Sequence, residues 1–164
     1  MRFIRRKQSE SADDTFIFQL SKRDRNLLLS ILGLFPVTEA NSHRLSKTAR
    51  PENKANQELL VEAMEEQRRD HAKKIERLIK NQAQCFHETD RFLQLALNGE
   101  QIEWLLQALN DVRVGSWMQL GCPEMEEARQ AVLAEESAAH YTAMELSGYF
   151  QTALLEAFRA DTLS

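Results

Sequence analysis

The sequence predicts a mainly α fold of the α+β kind. It would be a helical domain with one long charged helix and a small sheet from two strand–cap–helix units. Three observations carry that expectation. Five Gly and three Pro in 164 residues are few, which favours long regular elements over a many-turned β-sandwich. A short apolar alternation followed by a capping residue and a leucine stripe occurs twice. Hydrophobic residues at 43% and charged residues at 28% suit a globular chain with a real core. The length fits one domain over 1–164, with a flexible basic N-terminus at 1–14 and a loop at 37–51.

The first unit begins at Thr15-Phe16-Ile17-Phe18-Gln19-Leu20. Phe16, Phe18 and Leu20 alternate, as in a strand with one buried face. Ser21 suits an N-cap, Leu27, Leu28, Ile31, Leu32 and Phe35 form the stripe of the next helix, and Pro36 stops it. The second unit repeats the phase. Leu93, Leu95 and Leu97 stand where Phe16, Phe18 and Leu20 stood, and Asn98 takes the place of Ser21. Its helix runs from about Glu100 to Leu120. The two strands are expected side by side.

Between the units, a helix from about Asn53 to Gln84 carries a thin seam of Leu60, Met64, His71, Ile75, Leu78 and Ile79 among charged residues. So narrow a seam resembles a coiled-coil or hairpin arm. Gly121 and Pro123 mark a helix stop and restart, with a short helix to about Leu133. The last helix, about Ser137 to Phe158, presents Ala143, Leu146, Phe150, Ala153, Leu154, Ala157 and Phe158. Its small residues Ala143, Ser147 and Ala153 permit close helix contact.

No segment approaches a membrane span, and the basic start lacks the apolar stretch of a signal peptide. Cys85 and Cys122 make no disulfide framework, so a reduced cytoplasmic setting is expected. Residues 1–54 carry 11 Lys and Arg against 6 Asp and Glu, a net of +5; residues 55–164 carry 10 against 19, a net of −9; the whole is −4. A basic front end can serve nucleic acid, or it can pack on the acidic remainder within a chain or across a dimer. The chain is acidic overall and its basic residues are dispersed, so nucleic-acid binding is not the favoured partner class.

No glycine loop of P-loop or dinucleotide spacing is present, nor a Gly-x-Ser-x-Gly elbow. His43, His71, His87 and His140 are scattered. Cys85, His87 and Glu88 come nearest to a metal cluster but fall short of a zinc ligand set. No catalytic, cofactor or metal site is therefore expected, and the chain reads as non-enzymatic.

Arg113 lies among Ile102, Leu105, Leu106, Leu109, Trp117 and Leu120 on the apolar arc of its helix. A guanidinium there must reach water or an acceptor. It is expected buried and paired with a carboxylate: Glu103, Glu135, Glu136 or, in the C-terminal helix, Glu145. Arg113, Asn110, Asp111 and Glu145 form the candidate polar network, either fixing helix docking or meeting a partner or anion. Asp111 points away from Arg113. Trp104 and Trp117 face different sides of the helix; burial accounts for at least one, and an exposed one would anchor an interface.

The phrase Trp104-Leu105-Leu106-Gln107-Ala108-Leu109-Asn110-Asp111-Val112-Arg113, followed by Gly115 and Leu120-Gly121, resembles a bacterial family of unknown function. Its best-populated branch is actinobacterial, encoded beside the Clp protease adaptor. That family also begins with a strand, a cap and a leucine-rich helix. The chain departs from that branch at Ser116-Trp117-Met118-Gln119. Met144-Glu145-Leu146-Ser147-Gly148-Tyr149-Phe150 points to a divergent, verrucomicrobial branch. The resemblance implies a protein partner in regulated proteolysis or another housekeeping control; some members are labelled transcriptional regulators. The expectation is a protein-interaction domain that self-associates as a dimer through the long helix.

Overall fold

The computed structural model describes residues 1–8, 13–37, 51–122, 124 and 135–159. Strand β1 (Arg2–Lys7) is followed by β2 (Thr15–Leu20), helix α1 (Lys22–Leu32) and the long α2 (Pro51–Lys80). Then come α3 (Gln82–Cys85), β3 (Phe86–Glu88), β4 (Leu93–Asn98), α4 (Gly99–Gln119) and α5 (Glu135–Arg159). The fold is mainly helical α+β with one antiparallel sheet in the order β1-β2-β4-β3.

The two strand–cap–helix units form as their patterns predict. β2 and β4 pair antiparallel, with Phe16 opposite Leu97, Phe18 opposite Leu95 and Leu20 opposite Leu93. These apolar pairs share one face of the sheet and are nearly or wholly buried. Both caps are reciprocal. Ser21 Oγ accepts from the Asp24 amide at 3.0 Å while Asp24 Oδ2 accepts from the Ser21 amide at 3.2 Å. Asn98 Oδ1 accepts from the Gln101 amide at 2.8 Å and Gln101 Oε1 from the Asn98 amide at 2.9 Å. Each box satisfies two donors that a helix start would otherwise leave open.

α4 ends in a Schellman turn: the Cys122 amide reaches Trp117 O and the Gly121 amide reaches Met118 O, both at 3.0 Å. Gly121, at φ +85°, supplies the left-handed residue such a turn needs. One core joins the sheet face to α1, α4 and α5, with Phe18, Leu28, Leu95, Leu105, Leu109, Phe150 and Leu154 at 0% exposure. α4 packs most extensively on α5. The small residues Ala108, Gly115 and Ser116 on α4 and Ala143, Ser147 and Ala153 on α5 are all buried.

Several expectations are corrected. Residues 2–7 are not a flexible basic arm. They form β1, whose Phe3 packs edge-on against Phe18 at 5.7 Å between ring centroids. The missed signal is Phe3 within a run of charges. Cys85-Phe86-His87-Glu88 is the junction of α3 and β3, with Phe86 buried opposite Leu95. The long helix breaks at Asn81 rather than running on to Gln84. The loop at 38–50 and the helix expected to end near Leu133 lie outside the described residues. Among the described residues, no helix is long and apolar enough to cross a membrane.

Candidate functional site

The buried arc of α4 comprises Ile102, Trp104, Leu105, Ala108, Leu109, Val112, Gly115 and Ser116. Its centre falls near Leu105 and Val112, not near Leu109 and Arg113. Arg113 stands about 100° round from Val112, beyond the edge of the arc. It is exposed, and its Nη1 donates to Gln151 Oε1 of α5 at 3.5 Å, a long contact. The expected buried ion pair is thus overturned. The residues that shifted the arc are Ala108, Gly115 and Ser116, which carry little hydrophobic weight yet are buried.

Glu145 lines the same shallow groove as Arg113, with Gly148, Tyr149 and Glu156, but makes no ion pair with it. Glu103 is exposed and makes none with it either; the side chains of Glu135 and Glu136 lie outside the described set. At the rim of this groove the Met1 amine donates to Asp24 Oδ2 at 3.1 Å and meets the Tyr149 hydroxyl, tying β1 to α1 and α5. Burial alone would raise the Asp24 pKa. The Ser21 amide and the Met1 ammonium outweigh it and hold the carboxyl below its usual value.

Asp111 does turn away from Arg113, and the structure gives it a partner the sequence reading missed. Arg68 of α2 donates to Asp111 Oδ2 through Nη2 at 2.8 Å and Nε at 3.1 Å. The two side chains are 12% and 17% exposed. Arg68 could have been found from spacing. Gln57, Val61, Met64, Arg68, His71, Ile75 and Leu78 recur at alternating intervals of four and three, and these are the positions of α2 turned to the core. Leu60, placed in the seam by its hydrophobicity, is 50% exposed.

Beside this pair runs an open groove of about 390 Å³ between α2 and α4. Phe35, Met64 and Leu106 supply its apolar wall, and Gln67, Arg68, His71, Gln107, Asn110 and Asp111 its polar one. Gln67 Nε2 donates to Gln107 Oε1 at 2.6 Å across the groove. His71 is 7% exposed, with its ring 6.2 Å from that of Phe35. Burial, with the Lys74 ammonium next, lowers its pKa and keeps the imidazole neutral. Asp111 Oδ1 is buried and accepts no hydrogen bond, so half of that carboxylate is unsatisfied.

Four residues of α4 border this groove or stand clear of it on the outer side: Leu106, Asn110, Arg113 and Trp117. Their spacing of four, three and four makes one ridge along the helix. Trp104 is buried at 9%, whereas Trp117 is 40% exposed. Among the described residues, no cluster of three or more His, Cys, Asp or Glu could hold a metal ion. Cys85 and Cys122 are both free thiols; burial pushes the half-buried Cys85 thiol up in pKa.

The architecture and this ridge define a mainly helical α+β domain with a mixed polar and aromatic surface on α4. No family model matches the chain, and no curated protein or solved structure is significantly similar to it.

Proposed function

We propose that this chain is a non-enzymatic protein-interaction domain that docks a protein partner on the α4 ridge. The observation that carries the reading is the pairing of exposed Arg113 with Trp117, 40% exposed and one turn further along the same helix. Trp and Arg are the residue types most enriched among interface hot spots. The adjoining groove offers apolar walls and amide donors suited to a peptide or helix edge. Self-association as a homodimer belongs to the same reading. So does a place in regulated proteolysis in the bacterial cytoplasm, which rests on the family resemblance and the free thiols.

A photo-crosslinking residue at exposed Asn110, in cells of the native host, tests the reading. A discrete crosslinked protein that disappears with Arg113→Ala/Trp117→Ala supports it. Crosslinks that are absent, or indifferent to those substitutions, would remove it.

A nucleic-acid-binding regulator is the second reading. In its favour, β1 aligns Arg2, Arg5, Arg6 and Lys7 at the sheet edge. Against it, Arg2 is held by Gln19 Oε1, and Arg6 pairs with Asp14 and lies over the Phe16 ring. Salt-sensitive binding to duplex DNA that Arg5→Ala/Lys7→Ala abolishes would promote it.

A further inference from the structure

The face of α2 opposite its core seam carries its charges in two blocks. Residues 56–66 contain Glu58, Glu62, Glu65 and Glu66 and no Lys or Arg; residues 67–80 contain six Lys or Arg against Asp70 and Glu76. At about 100° per residue, Glu58, Glu62, Glu66, Arg69, Lys73 and Arg77 fall on one outward stripe, and all six are exposed. None of these six forms an ion pair among the described residues; the pairs of this helix are made by Arg68 and Lys74 on its other faces and by Lys80, which continues the stripe past Arg77 and is held by Glu76. Leu59, at 65% exposure, lies beside the acidic end of the stripe.

The stripe is symmetric about its middle. Three Glu stand at intervals of four, a step of three follows, and three basic residues stand at intervals of four. Turned end for end, each acidic position meets a basic one. A two-fold contact requires such self-complementarity, because the same patch serves both subunits.

We infer that this stripe receives a second copy of this chain, antiparallel, with the two-fold axis crossing α2 between Glu66 and Arg69. Glu66 then faces the partner's Arg69, Glu62 the partner's Lys73 and Glu58 the partner's Arg77. Leu59 lies beside the apolar stem of the partner's Arg77. A parallel arrangement in register would set Glu on Glu and Lys on Lys. The inference rests on the homodimer part of the proposed function and names its surface; it is independent of the α4 ridge. Exposed charge pairs are individually weak and screened by salt, so the association is of low affinity and ionic-strength dependent.

Sedimentation equilibrium on three proteins tests it: the wild type, Glu62→Lys/Glu66→Lys and Arg69→Glu/Lys73→Glu. Circular dichroism checks that each variant keeps its helix. At about 0.05 M salt the wild-type mass should rise with concentration above 19.0 kDa, and about 0.5 M salt should weaken association at least about tenfold. Each variant alone should associate at least about tenfold more weakly than wild type. An equimolar mixture of the two should recover association, since each of the six facing pairs is then again of opposite charge. A wild type that stays monomeric at every concentration overturns both the surface and the homodimer reading. A dimer that neither variant weakens, or variants that fail to recover on mixing, overturns this surface and register but leaves the homodimer reading standing.

Discussion

Arg68 on α2 and Asp111 on α4 join two helices through one carboxylate oxygen, which accepts from Nη2 at 2.8 Å and from Nε at 3.1 Å. The remaining oxygen of Asp111 is buried without a hydrogen bond. The second half of α2 also docks through His71, Ile75 and Leu78, and Gln67 and Lys74 reach Gln107 and Glu100 of α4, but this pair is the most buried of the polar links between the two helices. With both side chains mostly buried, removing one strands the other.

Arg68→Ala and Asp111→Ala are each expected to cost about 1–3 kcal/mol, less than for a wholly buried pair because both groups retain some access to water. In a chain of this size each kcal/mol lowers Tm by about 2–4 °C. The double variant should cost less than the sum of the singles, by about 1 kcal/mol or more. Denaturant unfolding of the four proteins measures the coupling, and simple additivity would contradict it.

Arg113 should behave in the opposite way to a core residue. Its guanidinium is exposed and its contact to Gln151 is long, so Arg113→Ala should change stability by no more than about 0.5 kcal/mol. Leu109, four residues earlier and fully buried, should cost about 2–5 kcal/mol as Leu109→Ala. Thermal unfolding of the two variants side by side decides it. A loss at Arg113 as large as at Leu109 would place the guanidinium in the core after all.

His71 should make stability pH-dependent. Burial lowers its pKa in the folded chain, against a reference of about 6.5 when unfolded. Below about pH 6.5 the unfolded chain therefore takes up a proton that the folded chain resists, and stability rises with pH through that window. Between about pH 7.5 and 5.5 the wild type should lose stability on acidification, and His71→Gln should lose less. Tm measured against pH for both proteins tests this; parallel curves would show that His71 does not titrate differently on folding.

Much of the fold was legible because its signals are local. Phe16, Phe18 and Leu20 alternate, Ser21 and Asn98 stand where a helix must begin, and Gly121 stands where α4 must end. These features depend on backbone geometry within a few residues and so show in the chain itself. β1 was missed because Phe3, half-buried, is the one apolar residue of that run packed on the core, and one aromatic does not make a period. The candidate site was legible in part. Asn110, Arg113 and Trp117 do share the α4 ridge, and Trp104 is the tryptophan that burial claims, whereas Glu145 sits near Arg113 without pairing.

By itself, the sequence determined the class of the molecule, its two strand–cap–helix units and the strand and α1 residues that enter the core. Only the tertiary structure decided which flank of α4 turns inward, and hence that Arg113 faces solvent and Asp111 meets Arg68. Hydrophobic periodicity weighs each side chain by its own transfer energy, so Ala108, Gly115 and Ser116 count for little in it. In the folded chain the same residues are buried, because the elements packed on that flank, and not the residues' own hydrophobicity, decide what is covered. That is a property of the neighbouring elements, and no single-helix pattern contains it.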